Sequence, residues 1–259
     1  MLALLAACGG GGSAQPGTFV PAPAQQSPGS HWFVKDPEGN AFHLFIAETG
    51  TLRAIFHLSG AASRNTFGAG SVTVTNGNQV SGVMQALGVL PATTPPNLVP
   101  LSCSLSGSVI ERAQLAITVS CSGNTQILYN EFLTFRPQPD YDIGSSLADI
   151  AGNYTLPFRP ASNMLNISGD GTLFGMYDNG AQCTLNGTVS IIDARYRFLG
   201  VEWTMSSCTD PIGVFEGAVM SGFAMPSPDP NDPPGSYYFL LTRSNSNSFS
   251  TISVNYERT

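Results

Sequence analysis

Two acidic residues near a tryptophan offer the first candidate chemistry. Glu202 adjoins Trp203, and Glu216 follows downstream. Glycoside hydrolysis uses two carboxylates flanking the scissile bond, and an indole ring is a good platform for a sugar. The local pattern works against this. Val201-Glu202-Trp203-Thr204-Met205 alternates like a strand, so Glu202 and Trp203 face opposite sides and Trp203 is expected in the core. Acyl transfer is served no better. A nucleophile elbow needs Gly-x-Ser-x-Gly, and Gly68-Ala69-Gly70-Ser71-Val72 lacks the last glycine. Lys35 is the only lysine, which closes off a Ser-x-x-Lys pair. His43 and His57 flank the Thr49-Gly50 turn and could approach each other across a hairpin, where they would respond to pH. With His31 they are the only histidines. Asp229, Asn231 and Asp232 are oxygen donors of the kind calcium takes, but they lack the spacing of a calcium loop. The expected sets of catalytic residues, metal ligands and cofactors are all empty.

The cysteines carry more. Cys103, Cys121, Cys183 and Cys208 form an even set without a C-x-x-C pair, and no histidine lies near them. That pattern reads as disulfides in an exported chain and not as a zinc site. Four cysteines allow three connectivities. Cys103 and Cys121 lie symmetrically about a turn at Glu111-Arg112-Ala113, and Cys183 and Cys208 flank a turn near Ala194 to Tyr196. The expected bridges are Cys103–Cys121 and Cys183–Cys208, each across a hairpin.

The fifth cysteine stands apart. Leu5-Ala6-Ala7-Cys8 follows an apolar start and leads into Gly9 to Gly12. This resembles the lipobox of bacterial lipoproteins, whose cysteine is lipidated and becomes the mature N-terminus. The resemblance implies lipidation at Cys8 and anchoring in a membrane. Gly9 is not the aspartate that retains such proteins in the inner membrane, so the outer membrane is expected. Residues 1–8 are then a partial signal peptide. Only seven residues precede Cys8, none of them basic, which points to a start codon assigned too late.

The elements that would position these residues are strands. Residues 9–30 are mostly Gly, Ser, Ala, Pro and Gln with no charged residue, the composition of a flexible tether. From His31 onward, short alternating runs are separated by turn signals such as Asn76-Gly77 and Asn179-Gly180. Ser145 to Ile150 could make one helical turn. Residues 72–83 (VTVTNGNQVSGV) match 165–176 (LNISGDGTLFGM) in type, and Cys103–Val109 parallels Cys183–Val189. The expected fold is all-β and antiparallel, with two related eight-stranded barrel-like units at 31–137 and 147–258. The alternative is one larger double-sheet sandwich or barrel. Only 10% of residues are charged and the net charge is −7, which argues against nucleic acid as a partner.

A wider resemblance rests on Tyr141-Asp142, on Ser146 to Thr155, and on Gly169-Asp170-Gly171 followed by Cys183 to Val189. With the lipobox, these stretches resemble a group of proteobacterial surface lipoproteins. Their barrel halves are similar in layout to the transferrin-binding and factor-H-binding lipoproteins. The resemblance implies an outer-membrane or surface lipoprotein with a non-catalytic body in a binding or structural role. A protein partner would meet the proline-rich loops, at Pro95, Pro96, Asp229 and Asp232. A small apolar ligand inside a barrel, a periplasmic immunity role and a hydrolase are the alternatives.

Overall fold

The computed structural model describes residues 28–58, 64–89, 98–123, 126–157, 161–178, 180, 182–209, 215–227, 232–245 and 248–259. The first eight strands are β1 (Ser30–Lys35), β2 (Ala41–Ile46), β3 (Thr51–Leu58), β4 (Arg64–Thr75), β5 (Gln79–Val89), β6 (Leu98–Ile110), β7 (Gln114–Gly123) and β8 (Gln126–Pro137). A 3-10 turn at Pro139–Asp142 and one helix, α1 (Leu147–Ile150), lead into the second set. These are β9 (Gly152–Thr155), β10 (Met164–Ile167), β11 (Thr172–Asp178), β12 (Gln182–Ile191), β13 (Leu199–Ser206), β14 (Val219–Pro226), β15 (Tyr237–Asn245) and β16 (Ser248–Arg258).

Each set of eight pairs antiparallel in sequence order and closes on itself. β1 meets β8 at Trp32↔Pro137, and β9 meets β16 at Tyr154↔Arg258. The fold is therefore two closed barrels, and closure removes the exposed edges that would template aggregation. Alternation decides what fills them. Along β7, Leu115, Ile117, Val119 and Cys121 are buried and their neighbours are not. Trp32 and Phe135 anchor one interior, and Trp203 and Phe239 the other, all fully buried. Full burial of such a side chain contributes about 1.5–3 kcal/mol. The first strand takes in Ser30, so the tether boundary expected at residue 30 falls slightly earlier.

The barrels correspond strand by strand. A buried aromatic in the first strand of each donates to a carbonyl four residues earlier: Trp32 Nε1 to Pro28 O at 2.7 Å, and Tyr154 Oη to Ile150 O at 2.5 Å. The next hairpin of each carries Ile-x-x-x-Gly-Thr-Leu, at Ile46 to Leu52 and Ile167 to Leu173. Gly50 and Gly171 there have φ of 83° and 86°. A side chain at either would meet the carbonyl oxygen of Val72 or Val189. Those same valines donate their N–H back, to Gly50 O at 2.9 Å and Gly171 O at 2.7 Å.

The repeat visible in the sequence is offset from this correspondence. Residues 72–83 fall in β4–β5 and residues 165–176 in β10–β11, that is, at different stations around the two barrels. A hairpin unit recurs within the chain as well as a whole barrel. Its mark is Gly70-Ser71-Val72, Gly107-Ser108-Val109 and Gly187-Thr188-Val189, where each glycine lets the facing strand come close.

Both disulfides form as expected. Cys103 and Cys121 are direct register partners with Cα atoms 4.0 Å apart. Cys183 joins Cys208 at 4.1 Å, but Cys208 lies past the end of β13. The register there pairs Thr184 with Ser206, and Gln182 bonds Thr209, so Ser207 and Cys208 together face Cys183. Ser207 takes a φ of 52°, a bulge that swings Cys208 into reach. The Glu216 carboxylate secures it, accepting from Ser207 N at 3.2 Å and Cys208 N at 2.8 Å.

Candidate functional site

The outer faces of the two barrels meet. Phe45 and Ile55 from β2 and β3 pack with Phe223, Met225 and Leu240 from β14 and β15, and Tyr141 of the linker joins them. Three polar features are set into this seam.

The first is a string of histidines. Outward positions on β1, β2 and β3 place His31, His43 and His57 on one diagonal. His31 Nε2 and His43 Nδ1 are 3.0 Å apart, so one ring donates and the other accepts. The His43 and His57 rings meet edge-on at 5.5 Å, the approach expected across the Thr49-Gly50 hairpin. His31 also stacks on Phe45 at 4.5 Å and is only 4% exposed. Burial pushes the pKa of His31 down to about 4. Burial, with the neighbouring His31 and His57, pushes His43 down to about 3. Both rings are neutral at physiological pH. Asp140 Oδ1 lies 3.9 Å from His31 Nδ1, and neither atom has a hydrogen-bond partner.

The second is Arg112, at the tip of the β6–β7 hairpin. Its guanidinium binds Glu48 Oε1 at 2.5 Å, Asp142 Oδ1 at 3.2 Å and the carbonyl of Gly29. It lies over the rings of Tyr141 and Tyr196, at 5.0 and 4.5 Å. Burial disfavours its charge, but the hydrogen bonds to Glu48 and Tyr196 and the charges of Glu48 and Asp142 outweigh that and raise its pKa. Arg112 clamps the first barrel to the linker that leads into the second.

The third is a cleft of about 280 Å³ between β3 on one side and β12, β13 and β14 on the other. Arg53 of β3 is among its lining residues and is 7% exposed. Nη1 donates to Leu52 O and Nη2 to Ser221 O of the second barrel, each at 2.9 Å. Its Nε is buried without a partner. Among the described residues no carboxylate lies within ion-pair distance of Arg53. Burial pulls its pKa down to about 10, so it stays charged. Glu202 is exposed and lines the cleft with Thr51, Thr188 and Ser190; the Thr51 hydroxyl is bonded to that of Thr49, and Ser190 donates to Gly200 O.

The sequence candidates now have places. Trp203 is fully buried in the second barrel and Glu202 faces outward, as alternation requires. Glu202 and Glu216 do not come together as a catalytic pair. Glu216 is committed to the amides at 207–208, five residues and about 16 Å of strand beyond Glu202. Gly169-Asp170-Gly171 is a turn, with Asp170 accepting from Ser168 and from Thr172 N. Asp232 accepts from Ser227 and from Asn255 Nδ2. Cys8, Pro95, Pro96 and Asp229 lie outside the described residues. No group of three His, Cys, Asp or Glu side chains among the described residues could hold a metal ion. No helix among them is long and apolar enough to cross a membrane.

Arg53, Arg112 and the part played by His31 were missed from sequence. Arg53 and His31 occupy outward strand positions, where a polar residue ordinarily means solvent. Arg112 stood out only as the midpoint between two cysteines. Comparison with known proteins adds no relative: no protein-family model, curated protein or solved structure matches the chain.

Proposed function

We propose that this chain is an envelope lipoprotein, anchored in the outer membrane through lipid on Cys8, whose two-barrel body is a non-catalytic module with a binding or structural role. The observation that carries the reading is the pair of disulfides, one tying each barrel, which belong with export from the cytoplasm. The barrel interiors are packed with side chains, as eight-stranded barrels commonly are, which favours a site outside them. One acyl chain holds weakly and several hold firmly, at about 0.8 kcal/mol per buried methylene.

The test of the anchor is metabolic labelling with a palmitate analogue, followed by membrane fractionation. The native chain is expected to carry label and to sediment with outer membrane, and Cys8→Ala is expected to lose both. Label that persists on Cys8→Ala, or a native chain that stays in the soluble fraction, overturns the anchor.

A further inference from the structure

We infer that the cleft between the barrels is the docking site of a segment of this same chain, Thr18-Phe19-Val20-Pro21, which folds back from the start of β1 and lays Phe19 and Val20 on the apolar wall of the cleft. The contact does not depend on lipid at Cys8.

The entry of the chain into β1 sets the position. Pro28, Gly29 and Ser30 are buried, so the polypeptide is already packed against the body where β1 begins. Pro28 O accepts from Trp32 Nε1, and Gly29 O accepts from Arg112. Gly29 also lies against the Glu48 carboxylate. Glu48 and Thr49 are the two central residues of the β2–β3 turn, which Gly50 N closes on Ala47 O at 2.8 Å. Glu48 meets the arriving chain, and Thr49 lines the cleft. The chain therefore enters the fold beside the cleft.

The wall suits an apolar group. The surface that the cleft offers is mainly carbon. The Thr51 hydroxyl is bonded to that of Thr49, and Ser190 donates to Gly200 O, so these polar ends are already engaged. Gly200 takes an outward position on β13, where a Cβ would lie 3.4 Å from Ile192 Cγ1 and 3.8 Å from its Cδ1. The missing side chain leaves a hollow beside Ile192, which is half-buried. Covering such surface is favoured roughly in proportion to the apolar area removed from water.

The segment supplies the group. Residues 1–27 lie outside the described residues. Between Gly9 and Ser27 the only large apolar side chains besides proline are those of Phe19 and Val20, and no residue is charged. Val20 precedes Pro28 by eight residues. At about 3.1 Å per residue for a proline-rich stretch such as Pro21-Ala22-Pro23, that spans roughly 25 Å. The cleft runs along β3 from Thr49 to Arg53, about 13 Å of strand, so the reach is sufficient. A short connection also gives the segment an effective concentration in the millimolar range, roughly, which populates even a weak contact. A separate molecule would have to reach that concentration in solution. With the anchor proposed at Cys8, docking would leave residues 9–17 as the whole spacer between lipid and body.

The test is methyl NMR of the full chain, read at the Ile192 δ1 methyl, with Ile117 inside the first barrel as the control. Phe19 ring protons are expected to give NOEs to the Ile192 methyl at every protein concentration. Phe19→Ser, in the segment before β1, is expected to abolish those NOEs and to shift Ile192 while Ile117 stays in place. A synthetic peptide of residues 16–23 added to the Phe19→Ser chain should restore the native Ile192 shift. It should bind that chain roughly fivefold or more tightly than the native chain, where the attached segment competes. An Ile192 resonance that Phe19→Ser leaves unmoved overturns docking in the cleft, as does equal peptide affinity for the two chains. NOEs that appear only as protein concentration rises overturn the intrachain contact in favour of a second copy.

Discussion

The barrel interiors and the seam between the barrels are built in opposite ways. Inside each barrel, hydrophobic residues from alternating strand positions pack against one another, and a disulfide adds a covalent tie. Each interior is held by its own strands. The seam combines a modest apolar cluster with a buried arginine, Arg53, a half-buried one, Arg112, two neutral histidines and several polar atoms without partners. The interiors are built for stability. The seam keeps polar groups in place of a continuous apolar contact.

Core truncation should show the contrast most strongly. Trp203→Ala removes a fully buried ring from the second barrel, and such changes cost about 3–5 kcal/mol. In hydrogen exchange, amides of β11–β14 should lose protection, and those of β4–β7 should keep theirs. Equal loss in both barrels would mean that the seam couples them as tightly as a shared core. Replacing Cys103 and Cys121 with alanine should cost on the order of 3 kcal/mol by the loop-entropy argument, again confined to one barrel. Denaturant unfolding monitored by Trp32 against Trp203 fluorescence checks this.

The seam should respond differently. Arg112→Ala removes charge-assisted bonds to Glu48 and Asp142, worth about 2 kcal/mol, without touching either interior. Limited proteolysis near residues 138–146 should accelerate while each barrel keeps its own midpoint. Acid should act on the same region with a smaller effect. His31 and His43 titrate near 6.5 when unfolded but only near 4 and 3 when folded. The unfolded chain therefore binds more protons between these values, and stability falls with it. The contribution of the neutral rings is complete above about pH 6.5 and declines as pH drops toward 4. His31→Phe should flatten that part of the pH–stability profile, and an unchanged profile would exclude His31 as its source.

The division between interior and seam also governed what could be read from sequence. Alternation such as Leu115, Ile117, Val119 and Cys121 specifies an inward face, and Asn76-Gly77 specifies a hairpin, because both are local. The Cys103–Cys121 bridge followed from symmetry about Arg112. The Cys183–Cys208 pair could be named, but the bulge at Ser207 that makes it possible could not, because serine rarely signals a positive φ. The offset between the sequence repeat and the barrel correspondence is not legible in the sequence, because hairpin units resemble one another at every station. Arg53, His31 and Glu202 were legible as outward residues only. Which outward face meets another barrel depends on contacts more than a hundred residues apart, as between Arg53 and Ser221. No local pattern encodes that.

The contrast between interiors and seam is tested most directly by hydrogen exchange on Arg112→Ala, the variant that removes the clamp onto Glu48 and Asp142. Amides around Phe45 and Tyr141 at the seam should lose protection, while those of β7 and β13, which line the two interiors, should keep theirs. Loss in β7 and β13 as large as at the seam would contradict the separation of the two.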